Sequence, residues 1–343
     1  MNKSLFKKYI AIVTCLIGSF AIIGLSAVMA HNFTLAGQTG PPATQIPING
    51  NGGQANQATG QDNPPDEPEA QALDDLNILV LGLDDDNLPD VIMIVMYDGE
   101  NHEIDVVSVP RDTQVVMTQT ERDMMAEIGR RFPSHGVVKI NELHAHAGRT
   151  NGYRLVSHHL ENMLDIEIDY YVIIELDAFK YIVDAVGGIY VDVPPGFRYT
   201  VTGGAIRIDL PPGRQRLDGN MAEQFVRRRN TLHGDLDRIR NQQIFMREFF
   251  TQVLGSEDLM SRLPALASSF ITHVRTDFGI LSALRYVGMA DALNLDSIEF
   301  HTLPGHAGTA LNPVGREYSW FFVDVEGSRE LIREIKADNA ANQ

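Results

Sequence analysis

The hydrophobic positions of this 343-residue chain fall into three regimes. Tyr9–Ala30 is an unbroken uncharged run. Residues 31–75 are rich in Gly, Pro, Asn, Gln and Ala and hold no Lys or Arg. From Leu76 onward, short continuous apolar runs alternate with amphipathic stretches. Continuous runs of this length predict buried strands, whereas a 3.6-residue period predicts helices packed by one face. On that basis Asn77–Leu83, Val91–Tyr97, Glu103–Pro110, Tyr170–Leu176, Ile189–Val193 and Ile298–Leu303 are predicted strands. Asp98-Gly99-Glu100-Asn101 has the turn residues to join the second and third as a hairpin. Predicted helices are Tyr153–Leu164, Ala178–Val186, Asn220–Arg228, Leu236–Leu254, Leu259–Val274, Leu281–Leu293 and Val325–Ala337. Asp177 is the expected cap of the second helix and Gly187-Gly188 its stop. Mixed strands and helices of this kind predict a central sheet covered by helices.

The first run has the length for a membrane helix, which needs roughly 20 apolar residues. Lys3, Lys7 and Lys8 precede it, so the positive-inside bias keeps residues 1–8 in the cytoplasm. The expected order is therefore a cytoplasmic tail (1–8), a single-pass membrane anchor (9–30), a flexible extracytoplasmic linker (31–75) and a folded domain (76–338) outside the cell membrane. A cleaved signal peptide is the rival, because Val28-x-Ala30 resembles a cleavage site. The run exceeds the usual signal core of about 7–15 residues, which favours a retained anchor. The linker would hold the domain about 35–40 Å from the membrane on average.

Charge narrows the function. The net charge is −17 and the pI about 5.0, which opposes general nucleic-acid binding. Any grip on phosphate must be local. The one cysteine, Cys15, lies in the first apolar run, so the chain has no internal disulfide and no cysteine-based metal site. Four clusters carry candidate chemistry. Asp84-Asp85-Asp86 with Asp90 is either a carboxylate set for Mg²⁺ beside a phosphate or a solvated acidic loop. Arg111 in Ser108–Thr113 offers a planar fork for phosphate oxygens, or a local ion pair with Asp112. Lys139-Ile140-Asn141 is a phosphate contact or a surface turn. Phe225–Gln243 is the densest: Arg227, Arg228 and Arg229, then Asp235 at a helix N-cap position, then Arg238 and Gln242 on one helix face. Its alternative is an exposed cationic face neutralised by neighbouring acids.

In order along the chain stand V-L-G-L-D, D-V-I-M-I-V, V-S-V-P-R-D-T, K-I-N, I-D-Y-Y-V, D-A-V-G-G-I-Y-V-D-V-P, L-P-P-G-R-Q-R-L-D-G and F-V-R-R-R followed by G-D-x-x-R-x-x-x-Q-Q. Together, from about Asn77 to Phe250, they resemble the LytR–CpsA–Psr family of cell-wall glycopolymer ligases. The resemblance implies a three-layer α/β/α domain with a central mixed β-sheet and an apolar groove for a polyprenyl tail. It implies a phosphotransferase that moves a phospho-glycopolymer (wall teichoic acid, capsule or similar) from a polyprenyl-pyrophosphate carrier to a peptidoglycan hydroxyl. By motif position Asp84 and Asp90 look like Mg²⁺ ligands. Arg111, Lys139, Arg227, Arg229, Arg238 and Gln242 look like the pyrophosphate-binding set. Arg111, Arg229 and Arg238 would stabilise the reacting phosphate, with Asp90 the candidate base for the acceptor hydroxyl.

The chain also departs from the family pattern. Leu88-Pro89-Asp90-Val91 lacks the arginine usual there, and the Asp84–Asp90 loop is short. Asn241 stands in place of an arginine, and His144 and His146 in place of aromatics. A zinc site from His144, His146 and His158 is a weak expectation, since H-x-H alone is unspecific. The missing arginine motivates a second reading, a non-catalytic lipid-pyrophosphate-binding or scaffold protein; a polyprenyl pyrophosphatase is chemically close. A transcriptional attenuator is disfavoured by charge and by the lack of a DNA-binding motif.

Overall fold

Alternate residues of the central strands point into two separate cores, and this alternation builds the domain. The structure, a computed structural model, describes residues 74–200, 207–228, 235–254, 274–279 and 298–341. The expected anchor, the linker up to residue 73, and the predicted helices at 259–273 and 281–293 lie outside these residues. No helix among the described residues is long and apolar enough to cross a membrane. The described domain starts where the apolar pattern predicts, with β1 at Leu76–Leu83.

Strands β1, β2 (Pro89–Tyr97), β3 (Ile104–Ser108), β6 (Tyr170–Glu175), β11 (Val274–Thr276) and β12 (Ile298–Thr302) form one sheet in the order β11-β6-β1-β2-β3-β12. β1 runs antiparallel to β2 and parallel to β6; β3 runs antiparallel to β2 and parallel to β12. The sheet is therefore mixed, as expected. Asp98 makes the predicted hairpin turn by accepting the amides of Glu100 (2.7 Å) and Asn101 (2.8 Å).

Ile78 and Val80, Met93 and Val95, Val106 and Val172 face one core; Leu79 and Leu81, Ile92 and Ile94, Val107 and Ile173 face the other. The first face is covered by α4 (Leu176–Ala185), α5 (Gly219–Arg227) and α6 (Asp235–Leu254), through Ile182, Val183, Phe225, Phe245, Phe249 and Phe250. The second is covered by α1 (Gln119–Glu127), α2 (Ile140–Ala147), α3 (Gly152–Leu164) and α7 (Val325–Ala341), through Met125, Leu143, Leu155, Leu160, Ile332 and Ile335. The result is three layers, helix on sheet on helix.

Several elements differ from the sequence expectation. Helix α4 starts at Leu176, so Asp177 lies inside its first turn and pairs with Lys180 at 2.9 Å instead of capping it. Val274 opens strand β11. Helices α1 and α2 and the two-stranded pairs β4 (Gln114–Val116) with β5 (Val137–Lys139), β7 (Ile189–Val193) with β10 (Gly213–Leu217), β8 (Arg198–Thr200) with β9 (Arg207–Asp209), and β13 (Gly305–Leu311) with β14 (Glu317–Val323) complete the described elements. Of these only β7 carries a pattern strong enough to read: most of the others are short, and β13 is largely exposed.

Phe225 is fully buried and stacks on Phe197 with ring centroids 5.0 Å apart. Phe225→Ala is expected to cost roughly 3–5 kcal/mol, the usual range for an aromatic-sized core deletion. Urea unfolding at constant m checks it; a loss under 1 kcal/mol would contradict the assigned packing.

Candidate active site

One edge of the sheet collects the chemistry. The ends of β1, β6, β3 and β12 and the start of β2 all reach it, because β2 alone of these five runs the other way. Asp90 is the second residue of β2, and Arg111 follows β3. Arg227 closes α5, and Arg238 and Gln242 sit in the first two turns of α6. Four segments far apart in sequence thus deliver one carboxylate and three guanidiniums to a common point.

Asp90 is that point. Its Oδ1 accepts Arg111 Nη1 in a close ion pair and lies 3.4 Å from Arg238 Nη1. Its Oδ2 lies 3.8 Å from Arg227 Nε. Arg238 is only 1% exposed, an exceptional position for a charge. Burial pushes its guanidinium below the ordinary arginine value, against the opposing pull of Asp235 and Asp112. Asp235 holds Arg238 Nη2 in a second close pair and accepts the Arg111 backbone amide at 3.0 Å. Three like charges this close need such counter-ions.

Lys139 joins from the side. Its Nζ lies 3.0 Å from Asp112 Oδ1 and 4.6 Å from the centre of the Tyr318 ring. Tyr318 donates its hydroxyl to Glu142, and that bond, with burial, pushes its pKa up to about 12. Glu142 also accepts the Lys139 amide at 3.0 Å. Lys139 thus belongs to a structured flank of the site, at the start of α2, and not to a free surface turn. Tyr318 and Glu142 carry no signal in the sequence: they are 176 residues apart and meet only through the β13–β14 hairpin. Asp235, expected as a helix cap, is instead a second counter-ion of the site, beside Arg238 and Arg111.

Arg228 turns away, with its Nε on the Gly196 carbonyl at 3.2 Å and its guanidinium over the Phe197 ring at 4.2 Å. Arg229 lies outside the described residues. Asn241 is buried, and its Nδ2 donates to the Arg228 carbonyl at 3.3 Å. Gln243 ties α6 to the sheet edge, donating to Ser108 Oγ, the His301 carbonyl and Thr302 Oγ1 at 3.0–3.2 Å.

The shortened loop is a closed turn. Asp84 Oδ1 accepts the amides of Asp86 (3.0 Å) and Leu88 (2.9 Å), and the Asp84 amide donates to the Leu88 carbonyl at 3.0 Å. Asn87 adopts a left-handed conformation with φ 62°. Beneath it, fully buried His144 contacts the Asn87 carbonyl through Nδ1 at 3.1 Å. A carbonyl only accepts, so Nδ1 carries the proton. Burial lowers the His144 pKa to about 4. His146 packs edge-on to Phe132 and His158 bonds Asn162, so the three histidines considered for zinc are each engaged separately.

Asp84, Asp90, Arg227 and Gln242 border a cavity of about 150 Å³. Its body is apolar, with Val80, Met93, Ile182, Val183, Phe245 and Phe249 among its walls. Following β1 from Val80 to Asp84 and β2 from Met93 back to Asp90 leads from the apolar interior to the charged edge. The site is therefore an oily pocket bordered by Arg227 and by Asp90, the carboxylate that also holds Arg111 and Arg238.

The chain is similar to known proteins in sequence and in fold. The model of the LytR_cpsA_psr family matches residues 44–336. Cell wall biosynthesis protein LcpA of Corynebacterium glutamicum is 28% identical over 246 residues, covering 67% of this chain and 46% of the relative. The Bacillus subtilis protein TagV, named polyisoprenyl-teichoic acid–peptidoglycan teichoic acid transferase, is 26% identical over 216 residues, covering 61% of this chain and 51% of the relative. The chain thus spans about half the length of these relatives. The crystal structure of B. subtilis TagV superposes with a TM-score of 0.58 at 24% identity, over 76% of this chain and 96% of that one. A structure of TagT bound to LIIa-WTA superposes at 0.56 and 22% identity, over 80% and 94%. At these identities the structural likeness is one of fold.

His144 also makes stability depend on pH. Its folded pKa lies below the unfolded value of about 6.5, so the unfolded chain binds the extra proton as pH falls. The stabilisation is complete above pH 6.5 and is lost toward pH 4. Between pH 7 and pH 5 the wild-type chain should lose roughly 2 kcal/mol more than His144→Gln. Urea unfolding at the two pH values measures this, and identical losses would contradict it.

Proposed function

The chain belongs to the LytR_cpsA_psr family, and on that premise we propose that it transfers a phospho-glycopolymer, such as wall teichoic acid or capsule, from a polyprenyl-pyrophosphate carrier to a peptidoglycan hydroxyl. The observation that carries this reading is the junction of the apolar cavity with the guanidinium cluster. A polyprenyl pyrophosphate has the same division, an apolar tail joined directly to a compact polyanion. In this reading the acceptor oxygen attacks the phosphorus that bears the polymer. The bond from that phosphorus to the bridging oxygen breaks, and polyprenyl phosphate leaves.

Such a transfer depends on positioning and on charge stabilisation more than on covalent help. Arg111, Arg227 and Arg238 are proposed to face the phosphate oxygens, with Gln242 at the cavity wall and Lys139 on the flank. Arg229 stays in the proposed set by its sequence position. Asp90 is proposed to order the guanidiniums through Oδ1 and to use Oδ2 either for the hydroxyl proton or for Mg²⁺, not for both at once. Asp84 and Asp90 also suit Mg²⁺. Each commits Oδ1 to hydrogen bonds, Asp84 to its own loop and Asp90 to arginine, and keeps Oδ2 outside those bonds. Mg²⁺ accepts one or two carboxylates when phosphate oxygens and water complete its shell. Bound there, it would neutralise charge on the phosphates. Residues 9–30 are proposed to anchor the domain outside the cell membrane, near its lipid-linked substrate.

The closed Asp84 loop gives the non-catalytic binding reading its support, so the test separates the two. Purified full chain is given lipid-linked polymer and peptidoglycan. Transfer is expected, and Arg227→Ala should reduce it by about 10²–10³-fold while binding of uncharged polyprenol is unchanged. Lipid binding without transfer by the wild-type chain would favour the binding reading. Undiminished transfer by Arg227→Ala would remove the arginine assignment.

A further inference from the structure

Two strands away from Asp90, the same sheet edge carries a second group of cations. Glu175 ends β6, pairs in register with Leu83 of β1, and lines the cavity. Arg149, in the turn between α2 and α3, holds Glu175 Oε1 through Nη2. Arg275 of β11 places its Nε 4.0 Å from the same oxygen, beyond hydrogen-bond reach, and donates Nη1 to the Arg149 carbonyl at 2.7 Å. One carboxylate oxygen therefore serves two guanidiniums. With strands spaced about 4.8 Å apart, this group lies on the order of 10 Å from Asp90.

The pairing is arranged for exchange. Arg149 is 61% exposed, whereas Arg275 Nε and Nη2 are buried and have no hydrogen-bond partner. Nε and Nη2 make up the side edge of a guanidinium, the edge that grips a carboxylate with two parallel bonds. An incoming anion can take Arg149, and Glu175 then needs to move only about 1 Å to reach hydrogen-bond distance of Arg275. No charge is left unpaired by the exchange. Within the trio itself two guanidiniums face one carboxylate.

We propose that Arg149, backed by Glu175 and Arg275, is a second anion site that takes a phosphate group in the polymer part of the substrate, while the Asp90 cluster takes the pyrophosphate. This rests on the transfer reading above and extends it: the substrate is a polyanion read at two points along one sheet edge. The site favours polymers with phosphate close to the lipid linkage over neutral glycans.

The test compares two probes on the full chain in detergent: polyprenyl pyrophosphate alone, and the same lipid carrying a polymer with several phosphates. Arg149→Ala should bind the polymer-bearing lipid about tenfold more weakly, with a smaller salt dependence, and bind polyprenyl pyrophosphate as the wild type does. Arg149→Lys should recover part of the loss. Equal weakening of both lipids, or of neither, overturns the second site. Failure of the wild-type chain to bind polyprenyl pyrophosphate overturns the reading of the first site, and the second with it.

Discussion

A single carboxylate organises this protein's chemistry. Asp90 stands at the start of β2, the strand that enters the sheet at the edge where its neighbours leave. Arg111 arrives from the end of β3, Arg227 from the end of α5 and Arg238 from the first turn of α6. Guanidiniums repel one another, and one of these is almost completely buried. A shared anion makes their convergence tolerable, with Asp235 on Arg238, Glu223 on Arg227 at 2.8 Å and Asp112 near Arg111 as further counter-ions. The two-core architecture serves the same end. The packing of α4, α5 and α6 on one face both carries two of the arginines and leaves the apolar cavity that opens beneath them.

The neighbouring loop is held by its own bonds. It closes a tight turn on Asp84, supported from below by a buried histidine. The turn keeps Asp84 and Asp90 on the same cavity wall. Arg149 stands farther along the edge, next to Glu175.

Much of this was legible in the sequence, for identifiable reasons. β1 and β2 are long, continuously apolar and buried on both faces, so their pattern is unambiguous. Arg238 and Gln242, one turn apart, were readable as one helix face. Helix α2 was not legible, because it is only eight residues long and Asn, Glu and two histidines interrupt its apolar positions Ile140, Leu143 and Ala147. Nor was Tyr318, since nothing in the local text of β14 reports that it will meet Lys139 and Glu142. Asp235 was read as a cap because local rules describe local partners; its ion pair with Arg238 is local, but its bond to Arg111 spans 124 residues. The partners that lie across the fold, such as Tyr318 for Glu142 and Asp235 for Arg111, are those that no local pattern reports.

The central claim is that the cavity between the sheet and α4 and α6 holds the lipid tail while the arginines hold its phosphates. Photocrosslinking tests it most directly, using polyprenyl pyrophosphate with a photoreactive group in the tail and mapping the adducts on the full chain. The account predicts adducts on cavity residues such as Ile182, Phe245 and Phe249, abolished by excess unlabelled lipid. Adducts confined to the opposite core, around Leu155 and Leu160, or spread without preference over the surface, would contradict it.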